Sequence, residues 1–214
     1  MKLELYFAPG ACSLVPHVAL EAARAPFEPK LVKLHKGEHR SPEYLALNPN
    51  GQVPVLVVDG RPLTQIVAIC DFLDRSFPDA GLLPGDAWAR VQALSQLAWM
   101  NSTPHTTFTR VMFSERYAGS ESARAEVKQR AAEEFRGYLE RLQTLVPAQG
   151  PYWLGERVSF HDAYAFTLLR WGGIAGIDPA SLPALHAYVQ RVIQAPPVVA
   201  ALARERIALN TYKG

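Results

Sequence analysis

The chain has 214 residues, 49% hydrophobic and 20% charged, a composition that excludes disordered and fibrous classes and describes an ordinary globular protein. Its 22 basic and 20 acidic residues leave a formal net charge of +2 with no long basic block, so the electrostatic footprint of a nucleic-acid binder is missing. Two cysteines, Cys12 and Cys70, fit a reducing compartment. No apolar run reaches the ~18 residues of a membrane helix, and the run after Lys2 is cut by Glu4 and ends at Pro9-Gly10, so a cytoplasmic location is expected.

In chain order, Leu3 to Phe7 reads as a strand, Leu14 to Ala23 as a helix and Phe27 to Leu34 as a second strand. Ser41-Pro42 opens a short helix to Leu47. Val55 to Val58 and a strand around Leu63 flank Asp59-Gly60, the signature of a tight hairpin. Ile66, Ile69, Cys70, Leu73 and Phe77 then mark one face of a helix. Residues 79–86, rich in Pro and Gly, read as a linker. Beyond it everything reads helical. Asp86 caps a helix through Trp88, Val91, Leu94, Leu97 and Ala98 towards Phe108, which Pro104 should kink or break. A second helix carries Val127, Ala131, Phe135, Tyr138, Leu142 and Leu145. A third carries Phe160, Ala163, Thr167 and Trp171 and is expected to end at Gly172-Gly173. A fourth carries Leu182, Leu185, Val189, Val192 and Ile193. The expected architecture is an α/β domain over 1–78 and an all-α domain over 87–214, with the ligand in the cleft between them.

Two motifs carry chemistry. In Asn48-Pro49-Asn50-Gly51-Gln52-Val53-Pro54-Val55, a proline follows a glycine turn and opens an apolar strand. A cis Val53-Pro54 bond fits that position and would offer the Val53 main chain to a peptide-like ligand. Cys12 lies where a strand turns into a helix, and the helix-start amides there favour an anion, either its own thiolate or a ligand's; the alternative is a small buried hydrophobe. Cys12-Ser13-Leu14-Val15 lacks the second thiol of a dithiol redox pair. Cys70 reads as core. His35 and His39 flank Gly37 in a loop and supply no metal set, so no metal is expected. Lys36 either meets a carboxylate or is a solvated surface group, and His105 reads from its surroundings as a packed or surface residue. Ser159-Phe160-His161-Asp162 is a capping box, with a cost of about 1 kcal/mol for replacing Ser159 or Asp162 by Ala.

Ala8 to Ser13, Pro16-His17, Asn48 to Pro54, Leu63-Thr64 before a helix and the Ser159 to Asp162 cap occur in an order that resembles the bacterial cytosolic glutathione transferases, closest to the beta class. The likeness covers nearly the whole chain. It implies a thioredoxin-like first domain, a helical second domain and a homodimer with active sites near the interface. It also implies conjugation of glutathione, as co-substrate, to small apolar electrophiles. Alternatives are glutathione-dependent thiol-disulfide exchange through Cys12 and a non-catalytic binding module. By resemblance, Cys12, Ser13 and His105 lie at the glutathione sulfur, with Tyr6 a lesser donor. Val53 ahead of Pro54 pairs with the cysteinyl unit and Gln52 lies nearby. Lys36 approaches the glycine carboxylate, and Gln65 with the Ile66 N–H meets the γ-glutamyl group. The family places a small residue after Gln65, and Ile66 in its stead is expected to weaken glutathione binding. Phe108, Trp99, Met112 and Met100 are candidates for the electrophile side.

Overall fold

Alternation in Leu3–Phe7 (β1) decides the first layer: Leu3, Leu5 and Phe7 are buried, while Glu4 and Tyr6 are half-buried on the other face. The computed structural model describes residues 1–208, so the last six residues of the expected helical domain lie outside the described residues. β1 pairs in parallel with β2 (Glu28–Leu31) and antiparallel with β3 (Val55–Val58), which pairs antiparallel with β4 (Arg61–Thr64). The sheet order is β2-β1-β3-β4. Asp59 and Gly60, at φ 47° and 80°, make the hairpin turn with the positive φ values that its geometry demands.

Helices α1 (Leu14–Ala22) and α3 (Ile66–Ser76) join the core on the Leu3, Leu5, Phe7 face. On the other face, α2 (Pro42–Leu47) sets Tyr44 against Val32, Val55 and Val57. The described part of the remaining chain adds α4 (Ala87–Ser102), α5 (Pro104–Met112), α6 (Glu121–Leu145), α7 (Phe160–Ile174), α8 (Pro183–Val192) and α9 (Pro196–Glu205). α7 is buried on nearly every side. Together with α9 it packs on α1, so the helix that begins at Cys12 is held between the sheet and the helical layer. Arg90 of α4 reinforces the junction through Asp71 Oδ1 (2.6 Å) and Asp74 Oδ2 (2.5 Å) of α3.

Pro104 breaks the expected long helix, as its missing N–H required: α4 ends at Ser102 and Pro104 takes the first position of α5. Three local expectations are revised. The inward face of α4 is Ala93, Leu97 and Met100, whereas Trp88 and Val91 are 70% and 55% exposed. Gly172-Gly173 continue α7, because Gly172 admits α6: a Cβ there would stand 2.7 Å from Leu139 Cδ1. Helix α9 was not read from the sequence, since Pro196-Pro197 resembles a breaker until seen at a helix start.

The capping box of α7 forms, but Asp162 does more than cap. Fully buried, it accepts from Ser159 N–H (2.7 Å), Ser159 O–H (2.7 Å), Trp153 N–H (3.0 Å) and the Tyr188 hydroxyl. Four donors would be stranded by its loss. Asp162→Ala should therefore cost about 3 kcal/mol, above the capping value alone, read as a lower urea midpoint at unchanged slope. A loss under about 1 kcal/mol would mean the cap acts alone.

Candidate active site

The turn joining β1 to α1 is closed by its own side chains. Ala11 N–H donates to the Ala8 carbonyl (3.1 Å), while the Ser13 hydroxyl accepts the Ala8 N–H (3.1 Å) and donates to the Ala8 carbonyl (3.2 Å). Ser13 is fully buried, so its hydroxyl is committed to the turn and is no donor to a ligand sulfur, which corrects its expected role. Gly10, at φ 70°, binds the helical layer at both ends: its N–H donates to Glu205 Oε2 (3.0 Å) and its carbonyl accepts from Trp171 Nε1 (3.0 Å). A side chain at Gly10 would strike the Arg170 guanidinium, 2.4 Å from where Cβ would stand.

Cys12 ends this turn at 7% exposure, its thiol donating towards the Val53 carbonyl at 3.5 Å. Burial pushes the thiol up to about 12, aided by the Glu205 charge and opposed by the Cys12 and Ser13 amides. Cys12 is thus a protonated donor at neutral pH. Two of the readings for this position stand, a ligand's anion at the helix start or a small buried hydrophobe, since Cys12 also joins the hydrophobic core.

Opposite Cys12, the Val53-Pro54 peptide bond is cis, as the sequence indicated. The preceding Gln52 carbonyl is fixed by Tyr44 O–H (2.9 Å) and Asn48 Nδ2 (2.7 Å). Gly51, at φ 60°, passes so close to the His39 carbonyl that a Cβ would lie 2.8 Å from it. The Asn48 to Pro54 motif is therefore a clamp: Asn48 and Tyr44 lock the backbone, and the Val53 main chain faces the thiol. The Gln52 side chain stays exposed.

At the start of α3 the positive φ falls on Gln65 (71°), not on the β-branched residue after it. Ile66 points its side chain into the core at 4% exposure, leaving the helix-start N–H groups unobstructed. Ile66 therefore keeps its N–H at the helix start but supplies no side-chain hydroxyl there. Lys36 ends a 3₁₀ turn (Leu34–Lys36) and lines a cleft of about 550 Å³ with Pro9, Leu31, Leu34 and His35. Among the described residues no three His, Cys, Asp or Glu side chains converge as a metal site would require.

His105 sits in the first turn of α5. Its Nδ1 lies 2.7 Å from the Tyr164 hydroxyl, and its ring is 4.9 Å from that of Trp171, which holds Gly10. Burial pushes its pKa down to about 4, so the ring is neutral at pH 7. Tyr164 is fully buried, and burial holds its hydroxyl well above the ordinary tyrosine range. Of the suggested electrophile-side residues, Met100 and Phe108 are buried, the latter stacked on Trp171 at 4.5 Å. Trp99 packs against Tyr138, and Met112 is 44% exposed. Tyr6 packs edge-on against Tyr44 on the α2 side of the sheet.

Tyr164, Trp171 and Glu205 were missed by sequence reasoning. The available signal was Tyr164 and Trp171, seven apart on one face of an apolar helix, each with a polar group that needs a partner when buried.

Residues 1–75 match the family described as "Glutathione S-transferase, N-terminal domain", and residues 95–196 match its C-terminal domain. Glutathione S-transferase GST-4.5 of Xanthomonas campestris is 40% identical over 208 residues, covering 95% of this chain and 98% of that relative. The solved structure of a glutathione transferase homologue from Sulfitobacter, with bound glutathione, superposes with a TM-score of 0.89 at 30% identity, covering 96% of this chain and 99% of that one. A bacterial beta-class glutathione S-transferase from Sphingomonas chungbukensis superposes at 0.83 with 33% identity, covering 96% and 100%. With a mixed four-stranded sheet, a helical second half and these matches along the length of both partners, the chain belongs to the glutathione S-transferase family.

Proposed function

We propose that this protein binds glutathione and stabilises its thiolate for attack on small, mostly apolar electrophiles. The observation that carries the reading is the pairing of a locked Val53 main chain with a protonated Cys12 thiol at the start of α1. In this arrangement Val53, ahead of Pro54, pairs with the cysteinyl unit, and Gln52 flanks it. Gln65 and the Ile66 N–H take the γ-glutamyl end, Lys36 takes the glycine carboxylate, and His105 borders the sulfur. Cys12 then turns its S–H from the Val53 carbonyl to the ligand sulfur. Lowering a thiol by two units takes roughly 2.7 kcal/mol, within reach of two hydrogen bonds to a charged acceptor at about 1.5–3 kcal/mol each. The cleft that Lys36 lines with Pro9, Leu31, Leu34 and His35 then takes the glycine end of glutathione.

Thiol-disulfide exchange through Cys12 is the weaker reading, because a thiol held up near 12 is almost never the nucleophilic thiolate. Cys12→Ala separates the two. Conjugation should fall about 10- to 150-fold, the worth of one hydrogen bond to a charged acceptor, whereas exchange would vanish with the sulfur. The whole proposal is tested by calorimetry with glutathione at millimolar concentration and by turnover against a panel of electrophiles. Binding without turnover would point to a non-catalytic module, and no binding would end the proposal.

We also place the protein in the cytoplasm, on its two unpaired cysteines, and propose a homodimer. An apolar groove of about 770 Å³ runs between α3 and α4, lined by Val67, Ala68, Val91, Leu94 and Ala98. Gln65 borders both this groove and the glutathione site, which would put each active site beside the interface. Among the described residues no helix is long and apolar enough to cross a membrane.

A further inference from the structure

Asn50-Gly51 carries a chemistry that the reading above does not use. Asn50 is exposed, and its carboxamide has no hydrogen-bond partner among the described residues. The glycine after it is required by the fold, since its φ is 60° and a Cβ would lie 2.8 Å from the His39 carbonyl. An exposed carboxamide is thus followed by the one residue whose nitrogen no side chain shields, the arrangement in which a main-chain nitrogen attacks the preceding side chain. One feature restrains it. The Gly51 N–H donates to the Asn48 carbonyl at 2.9 Å, and the Asn48 side chain tightens the same turn by accepting the Asn50 N–H at 3.1 Å and donating to the Gln52 carbonyl at 2.7 Å. A nitrogen so engaged is not free to attack, so the chemistry runs through the open turn. Asp59-Gly60 is the corresponding acidic pair, but its carboxylate is a poor target for a nucleophile and already accepts the Lys2 N–H at 2.7 Å.

We propose that Asn50 is a modification site, where the unliganded protein converts asparagine to isoaspartate and so loses its glutathione clamp, and that bound glutathione protects it. With the turn open, hydroxide takes the Gly51 N–H proton and the nitrogen forms a bond to Asn50 Cγ. The carboxamide C–N bond breaks, ammonia leaves with a proton from water, and a five-membered succinimide remains. Water then opens the ring: attack at the side-chain carbonyl gives aspartate, and attack at the main-chain carbonyl gives isoaspartate, whose chain runs through the former side-chain methylene. No oxidant or cofactor is consumed. The consequence follows from the clamp. Isoaspartate inserts an extra main-chain carbon between Asn48 and Gln52, so the bonds by which Asn48 holds Asn50 and Gln52 no longer span the same length of chain. The Gln52 carbonyl and the Val53 N–H share one planar peptide, so displacing the first turns the second. Glutathione acts in the opposite sense, because pairing with Val53 selects the closed turn and depopulates the open one.

The inference rests on the glutathione reading and has a signature of its own. The whole protein is kept in warm, mildly alkaline buffer with and without glutathione. Mass spectrometry follows the amide-to-acid conversion of Asn50, enzymatic methylation reports isoaspartate, and calorimetry reports glutathione binding. Without glutathione, Asn50 should convert ahead of Asn48 and Asn101, and the fraction of protein able to bind should fall in step with the isoaspartate fraction. Glutathione at about ten times its Kd should slow the conversion about tenfold, and should leave unchanged the rate in a synthetic peptide of residues 46–56, which has no clamp to close. Asn50→Ala has no ammonia to lose and should hold throughout whatever affinity it begins with, while Asn48→Ala, which loosens the turn, should convert Asn50 faster than wild type. Asn50 left intact while the other asparagines convert, isoaspartate without loss of binding, or equal rates with and without bound glutathione would each overturn the inference. Absence of binding heat in the fresh protein would instead overturn the glutathione reading, and the conversion of Asn50, read by mass, does not depend on that result.

Discussion

Replacing Glu205 by Ala is expected to cost about 3–5 kcal/mol, because it breaks a fully buried polar pair by removing one partner. Glu205, the last residue of α9, is 2% exposed. Its Oε1 lies 2.8 Å from His17 Nδ1 on α1, and its Oε2 accepts the Gly10 N–H at 3.0 Å. His17 is itself completely buried, and its other nitrogen has no partner among the described residues. Without the carboxylate, both imidazole nitrogens and the Gly10 N–H would be buried and unpaired, which is more expensive than removing the whole group of polar atoms together. The loss reaches the site as well, since Gly10 anchors the turn that presents Cys12. Glu205→Gln keeps an acceptor and should cost less, about 1–2 kcal/mol. Urea denaturation measures both; an alanine variant within 1 kcal/mol of wild type would show that the pair is dispensable. The variant should also bring the Cys12 thiol down somewhat from about 12, as the Glu205 charge is one of the two influences holding it there.

With His105 bordering the sulfur as proposed, His105→Gln should lower kcat/KM about tenfold or more, the worth of one hydrogen bond to a charged acceptor, with KM for glutathione changed far less. The same variant changes acid stability in a defined direction. The folded imidazole titrates at about 4 against an ordinary 6.5, so between those values the unfolded chain binds a proton that the native protein does not. Stability is therefore full above about pH 6.5 and declines as pH falls towards 4, by up to about 3 kcal/mol from this group. His161, fully buried with Nε2 on the Ala93 carbonyl, is also pushed down by burial and adds a slope of the same sign. Comparing wild type with His105→Gln isolates the His105 share. Between pH 7 and 4.5 the wild-type midpoint should fall further than that of His105→Gln, and parallel curves would contradict the burial of a neutral ring.

Much of the fold was legible because local signals and burial agree. The hairpin follows from Asp59-Gly60, the α3 face from Ile66, Ile69, Cys70 and Leu73, and the α7 cap from Ser159 and Asp162. The cis bond at Val53-Pro54 could be anticipated from a proline placed between a glycine turn and a strand. What failed depended on neighbours distant in sequence. Gly172 reads as a terminator until Leu139 is seen against it, and Trp88 and Val91 read as core because periodicity cannot tell an inward face from an outward apolar one. The site divides the same way. Cys12 was found from its place at a strand-to-helix turn, but its protonation state is set by burial and by Glu205, which lies 193 residues further along the chain. Ser13 was offered as a donor because nothing in its neighbours reveals that its hydroxyl folds back onto Ala8. Tyr164 and Asn101 reach His105 only through the packing of α4, α5 and α7.

The central claim is that this site ionises a bound thiol while its own cysteine remains protonated, and ultraviolet titration of the glutathione complex from pH 5 to 10 tests it most directly. Bound glutathione should ionise with an apparent pKa near 6.5, about two units below a free thiol, and the protein without glutathione should gain no thiolate absorbance from Cys12 over the same range. A bound thiol that ionises near 8.5, or a Cys12 thiolate already present at neutral pH in the free protein, would contradict the account.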